Sequence, residues 1–246
     1  MKMRRSWIAA KPRALRNKVQ GPKSNVQSQK TVGVADVGLG HWTLDKQIRM
    51  SGRKIIVYIA TSADGYIARA DGNVDWLNRP RTSGDYGMGA FFKTIDTILW
   101  GRKTYGTGKE MNEGTAPVYG PSIRNYVFTR RPPKRHPEGF EFVNEPVAEF
   151  AKKLRARPGK NIWMMGGSKI IASFLDAGEI DEFIIHVIPV LIGEGIPLIA
   201  PRHREVNLRL LGARDFPDGV VRLHYRVEGN EESKDAVKGR SKRHAK

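Results

Sequence analysis

Cysteine is absent from the 246-residue chain. That excludes disulfides, thiolate nucleophiles and cysteine-ligated zinc together, and it fits a reducing compartment. The six histidines (His41, His136, His186, His203, His224 and His244) are scattered, and no pair has metal-ligand spacing on one face, so no metal site is expected. No apolar run approaches the length of a membrane span, which points to a soluble, cytoplasmic protein. No acidic residue precedes Asp36. No G-x-G-x-x-G turn follows a strand either. Gly87-Met88-Gly89 is a spacing accident inside a short helical segment, so a Rossmann fingerprint is excluded.

Positive charge is abundant, and its placement is uneven. The net charge is +18. Residues 1–50 carry eleven Lys/Arg against two Asp, and residues 229–246 carry six against three acids. Two thirds of the excess therefore sits in the ends, and the interval 51–228 is only mildly basic, as suits an anionic ligand. Both ends read as solvated, disordered extensions; contact with nucleic acid is expected only through them. The Arg-rich, acid-poor start also fits an organellar transit peptide. Alternatively, Met50-Ser51-Gly52-Arg53-Lys54 is the natural start and the upstream part is over-called.

Between the ends, apolar segments alternate with helical patterns. Ile55-Ile56-Val57-Tyr58-Ile59-Ala60 is apolar throughout, as a central strand covered on both faces requires. A short helix is expected over 86–94 with Met88, Phe91 and Phe92 inward. Strands follow at 97–100, 125–128 and 141–143. A helix from near Pro146 places Val147, Phe150, Ala151 and Leu154 on one face and closes at Pro158-Gly159. Further strands are expected at 183–190, 208–211 and 221–227. In the last, Val221, Leu223, Tyr225 and Val227 alternate with Arg222, His224 and Arg226, the period of a half-exposed, antiparallel strand. The alternation implies an α/β fold with a mostly parallel sheet.

The most informative stretch is Asn161-Ile162-Trp163-Met164-Met165-Gly166-Gly167-Ser168-Lys169-Ile170-Ile171. It reads as a buried strand, a tight turn and a helix capped by Ser168. Glycines there let amides approach an anion, and the helix dipole favours negative charge at that end. A phosphate-bearing cofactor suits such a turn; a plain strand-to-helix connection has the same local pattern.

Four motifs occur in order with strands between them. They are Ser62-Ala63-Asp64-Gly65-Tyr66-Ile67-Ala68, Asp96-Thr97-Ile98-Leu99-Trp100-Gly101-Arg102-Lys103-Thr104-Tyr105, Met165-Gly166-Gly167-Ser168, and His186-Val187-Ile188-Pro189-Val190-Leu191-Ile192-Gly193-Glu194-Gly195. On these marks the segment from about Arg53 to Glu228 resembles the dihydrofolate reductase superfamily, most closely the RibD C-terminal-like reductase domains of riboflavin biosynthesis and their single-domain relatives. The resemblance implies one domain over 51–228, a central sheet of about eight strands with an antiparallel C-terminal strand and flanking helices, and NADPH bound across the strand ends. It implies pyrophosphate contacts from Gly166, Gly167 and Ser168, and a helix opened beneath the phosphates by Gly101, Arg102, Lys103 and Thr104. Thr104 would bond phosphate, and Arg102 would reach the adenosine 2′-phosphate. Thr129, Arg130 and Arg131 lie where the family adds 2′-phosphate contacts; a solvated loop is the other reading of the two arginines. Ala60 and Ile67 match positions that hold the nicotinamide carboxamide through the backbone. The implied activity is hydride transfer to a pteridine, a folate-like compound or a ribosylaminopyrimidine such as 5-amino-6-(5-phosphoribosylamino)uracil. A homodimer is the implied assembly. The zinc deaminase half often fused to the riboflavin enzyme needs Pro-Cys-x-x-Cys and cannot be present here.

Two carboxylates are candidates for assisting protonation of the substrate. Asp85 precedes Gly101 by sixteen residues, the separation at which folate-reducing enzymes place their pterin-binding acid; the alternative is a helix cap. Asp64 matches an aspartate near the substrate in the riboflavin branch; the alternative is a turn residue bonding nearby backbone. The proline-tryptophan loop of folate enzymes is replaced by Asn78-Arg79-Pro80-Arg81-Thr82-Ser83-Gly84, which tells against dihydrofolate itself. Asp75 and Trp76 belong either to a loop over the nicotinamide or to a lid anchored by Trp76. His186 inside an apolar strand reads as a satisfied core histidine, and Glu194 as a loop residue.

Overall fold

The structure, a computed structural model, describes residues 52–228 apart from 81–83, 113, 116–118 and 121. The two basic ends read from the sequence lie outside the described residues. Six parallel strands form most of an eight-stranded sheet: β1 (Ile55–Ser62), β3 (Ile95–Gly101), β4 (Arg124–Phe128), β5 (Phe140–Val143), β6 (Asn161–Gly166) and β7 (Glu182–Ile188). Two antiparallel strands complete it, β9 (Leu208–Asp215) and β10 (Val221–Val227). The order across the sheet is β5-β4-β3-β6-β1-β7-β10-β9, and β2 (Tyr66–Ala68) pairs separately with β8 (Ile196–Pro197).

Strand β1 is apolar at every position from Ile55 to Ala60 because both of its faces are covered. Ile55 and Val57 join Phe150, Leu154, Ile171 and Phe174 on one side. These come from α3 (Val147–Arg155) and α4 (Ser168–Asp176), whose apolar stripes match their sequence spacing. Ile56 and Tyr58 join Phe91, Trp100, Tyr105 and Trp163 on the other side, beneath α1 (Met88–Phe92) and α2 (Arg102–Met111). No helix among the described residues is long and apolar enough to cross a membrane.

Three of the departures from the expected boundaries have a clear physical cause. The helix expected over 86–94 is confined to Met88–Phe92, because Tyr86 (φ 52°) and Gly87 (φ 91°) are both left-handed and cannot begin a right-handed turn. The cap of α4 is Gly167, in extended conformation, and Ser168 is the first helical residue. Strand β9 continues four residues beyond Leu211 to Asp215, because a register shift at His224/Tyr225 in β10 lets pairing resume at Gly212.

The N-terminal end of the sheet is tied by Arg53, which is 5% exposed. Its guanidinium pairs with Asp96 and donates to Thr97 Oγ1 (2.7 Å), the Lys160 carbonyl (2.6 Å) and the Leu154 carbonyl (3.2 Å). One side chain thus joins β1, β3, the end of α3 and the approach to β6. Removing one partner of a buried pair strands the other, at a cost of about 3–5 kcal/mol. Arg53→Met is therefore expected to lower the unfolding free energy by about 3 kcal/mol in a urea titration. A loss within about 0.5 kcal/mol, the scale of a neutral surface change, would refute this role for the cluster.

Candidate active site

Neighbouring strands β3, β6 and β1 end side by side, and the first two run directly into helices. Gly101 closes β3 and caps α2; Gly166 closes β6, and Gly167 caps α4. The Gly166–Gly167 peptide is cis. The two glycine turns touch. A Cβ on Gly101 would lie 3.2 Å from both the Gly166 carbonyl and the Gly167 nitrogen, and 3.1 Å from Ile170 Cγ2. A Cβ on Gly167 would lie 2.9 Å from Thr104 Oγ1 and 3.7 Å from Ile67 Cδ1. Six of the expected cofactor residues (Ile67, Gly101, Thr104, Gly166, Gly167 and Ser168) are thereby gathered at one place.

Among the described residues neither α2 nor α4 has a side-chain cap, which leaves the first amides of both helices suited to an anion. Ser168 is 5% exposed, yet its Oγ has no hydrogen-bond partner among the described residues. A buried hydroxyl normally finds a partner. An incoming phosphate oxygen would supply one, and the two helix dipoles favour that charge.

Basic side chains flank the cradle. Arg102 and Lys103 are exposed on the first turn of α2, and Arg130 and Arg131 are exposed after β4, the strand next to β3. None of these four side chains makes an ion pair or hydrogen bond among the described residues. The turn carrying Arg130 is held by Thr129, whose Oγ1 accepts from the Arg131 amide (3.1 Å) and donates to the Arg131 carbonyl (3.2 Å). Ala60 lies near the end of β1, in register with His186.

The aspartates are fastened to backbone. The exposed Asp64 carboxylate accepts from the amides of Ile192 (3.1 Å) and Gly193 (2.8 Å), tying the β1–β2 turn to the loop after β7. A hydrogen bond from Ser62, followed by these amides, holds its pKa below the usual carboxylate range. Asp85, also exposed, accepts from the amides of Gly87 (2.9 Å) and Gly89 (2.8 Å) and braces the start of α1. His186 is wholly buried; its Nε2 donates to the Tyr86 carbonyl (3.2 Å) and lies 3.4 Å from Tyr58 Oη. Burial, with Arg222 adding to it against that hydrogen bond, pushes its pKa down to about 4.

A cleft of about 460 Å³ opens between the 71–78 loop and α2, lined in part by Asp71, Asp75, Thr107, Glu110 and Met111. The α2 residues were not among the sequence candidates. Their signal was the spacing 104, 107, 111, which continues one helix face from Thr104. Asp75 pairs with Arg69 at 2.7 Å. Trp76 is buried with Tyr86, Ile188 and Phe216, and its indole N–H has no partner among the described residues.

Residues 53–222 match the family of the RibD C-terminal domain. The chain belongs to that family. It is 41% identical over 174 residues to the uncharacterized protein YwjB of Bacillus subtilis (strain 168), covering 70% of this chain and 97% of that one. Among solved structures it is similar to a Shewanella sp. PV-4 protein whose description points to riboflavin biosynthesis, at 26% identity and a TM-score of 0.62, covering 72% and 99% of the two chains. It also shares its fold with a dihydrofolate reductase from Enterococcus faecalis complexed with NADP(H), at 17% identity and a TM-score of 0.51, covering 72% and 97%. Membership of the RibD C-terminal domain family supports a reductase-like role, and the likeness to the dihydrofolate reductase shows the fold.

Two outcomes follow from this geometry. Gly101→Ala forces a methyl against two backbone atoms that cannot swing away, and chemical denaturation is expected to show a loss of about 1–3 kcal/mol. An unchanged midpoint would mean that the turns are loosely packed. Secondly, the folded-state pKa of His186 (about 4) lies below its ordinary 6.5, so the unfolded chain binds the proton first. Its contribution to stability is complete above about pH 6.5 and declines as pH falls toward about 4. Thermal melts across that window should show the decline in the natural chain and a flatter profile in His186→Gln. Parallel profiles would contradict the assignment.

Proposed function

We propose that the protein is an NADPH-dependent reductase transferring a hydride to a pteridine, folate-like or ribosylaminopyrimidine substrate. The observation that carries this reading is the contact between two glycine turns, which brings together two helix starts and the Ser168 hydroxyl, all without side-chain partners among the described residues. The residues present fit the cofactor. Amides of Gly167 and Ser168, with Ser168 Oγ and Thr104 Oγ1, suit the pyrophosphate; Gly166 and Gly101 keep side chains out of its way. Arg102, Arg130 and Arg131 suit a 2′-phosphate, because a dianion calls for guanidinium partners and these lack carboxylates among the described residues. Lys103 adds charge, and Thr129 holds the arginine turn. Backbone groups of Ala60 and Ile67 suit the carboxamide. When bound, reduced nicotinamide supplies the hydride.

The protein's own tasks are alignment, exclusion of water and delivery of a proton to a substrate nitrogen or carbonyl. We assign the last to Asp85. Asp64 is held in its ionised form by Ser62 and two amides, which suits it to fixing the 192–193 loop beside the site. The 460 Å³ cleft beside α2 has room for a bicyclic ring. A homodimer remains the proposed assembly; it is supported by β9, whose eight residues are all exposed, including Leu208, Leu210 and Leu211.

The test follows loss of the reduced-nicotinamide absorbance with each substrate class, and measures cofactor affinity by calorimetry. Arg102→Ala and Arg130→Ala are each expected to weaken NADPH about tenfold while leaving NADH nearly unchanged, since each removes a charge-assisted contact specific to the 2′-phosphate. Equal effects on the two coenzymes would remove the 2′-phosphate assignment. A natural protein that binds neither coenzyme would end the reductase reading.

A further inference from the structure

Five arginines that are buried or half-buried have partners: Arg53 with Asp96, Arg69 with Asp75, Arg79 with the Asp218 carbonyl, Arg155 with Glu179, and Arg204 with Asp176. Arg222 is the exception among the described residues. It is half-buried in β10, yet it makes no ion pair or hydrogen bond there. A sheltered guanidinium without a counter-charge is costly and calls for a reason.

The β9–β10 register sharpens the problem. Arg222 stands directly opposite Arg214, which also lacks an ion pair among the described residues. Directly opposed side chains share a face, and like charges in that position repel. Both are nevertheless held in place. Arg214 Cζ lies 4.9 Å from the centre of the Phe216 ring. Arg222 Nη1 packs against Gly87, where a Cβ would come within 2.9 Å of it. The nearby acids are engaged elsewhere: Asp85 with the amides of Gly87 and Gly89, Asp218 with the Tyr86 hydroxyl, while Asp215 lies opposite Val221, one position off the arginine pair. His186, opposite Arg222 on the other side, is neutral and buried.

Position ties the pair to the proposed site. Ala60, His186 and Arg222 are in register on three adjacent strands. At the usual strand spacing Arg222 lies about 10 Å from Ala60, measured across the sheet. We infer that Arg214 and Arg222 form an anion-binding site that takes the phosphate monoester or carboxylate group of the substrate. Naming that anion as part of the substrate rests on the reductase reading; the site itself does not. Two guanidinium groups on directly opposed residues suit either oxyanion, and ligand charge would relieve the repulsion between them.

The experiment is calorimetric titration of the full chain, without coenzyme, using ribose 5-phosphate and glutarate as probes. The natural protein is expected to bind at least one, with affinity that falls as salt rises. Arg222→Gln and Arg214→Gln should each weaken binding by about tenfold, and Arg222→Lys should retain part of it because the charge remains. Lys152→Gln, on the exposed face of α3, should leave it unchanged. Binding of ribose 5-phosphate alone points to a phosphorylated substrate, and binding of glutarate alone to a carboxylate. Arg214 is exposed, so Arg214→Gln decides the matter even if Arg222→Gln fails to fold. The inference is overturned if neither probe binds, if both arginine-to-Gln variants bind like the natural protein, or if only Lys152→Gln abolishes binding. Because no coenzyme is present, a failed reductase assay and a failed anion site give separate results.

Discussion

The structure turns on a close contact that favours glycine. Where β3 and β6 end, Gly101 packs against the Gly166–Gly167 peptide, and a Cβ there would lie 3.2 Å from two backbone atoms, tight enough to push the turns apart. That closeness draws the starts of α2 and α4 together. Each helix alone presents a few free amides and a partial positive charge. Beside them a buried hydroxyl, Ser168 Oγ, is left without a partner among the described residues. Packing of the sheet thus creates an electrostatic feature that no single segment contains.

Positive charge is used in two ways. At the foot of the sheet, Arg53 and Arg155 are locked to Asp96, Glu179 and Asp181 and to backbone carbonyls, and their charge is neutralised inside the protein. At the opposite end, where the parallel strands finish, Arg102, Arg130, Arg131 and Arg222 lack such partners among the described residues. The polarity follows the general geometry of open α/β sheets, in which ligands collect at the carboxyl ends of the strands. Arginines at the foot hold the fold together. Those at the top leave a field that an anionic ligand can complete.

Much of this was legible in the sequence, for physical reasons that differ by segment. Strands β1 and β6 declare themselves because burial on both faces demands an unbroken apolar run, and β10 does so because one covered face imposes a period of two. The glycine turns were visible as breaks between such a run and a helical stripe. What escaped was information carried by distant residues. Asp64 finds its amides 128 and 129 positions along the chain, at Ile192 and Gly193. The row Ala60, His186, Arg222 exists only once β7 is inserted between β1 and β10. Its aromatic spacing alone places Tyr86 in a helix. Its left-handed backbone follows instead from burial against Phe216 and a hydroxyl bonded to Asp218, both more than a hundred residues away.

The two aspartates show why a catalytic residue cannot be chosen by motif alone. Both occupy positions that the family resemblance singles out, and both use their oxygens to hold backbone amides. A carboxylate that accepts several hydrogen bonds in its charged form becomes a weaker base and is harder to protonate. Asp64 carries that burden with Ser62 added, so acid chemistry near neutrality would work against its surroundings. Asp85 braces a helix of only five residues, whose first turn adjoins the tightly held Tyr86 and Gly87. Were Asp85 the acid, as proposed, protonating it would weaken those amide contacts, so proton delivery and the position of α1 would be coupled through one carboxylate just ahead of the helix.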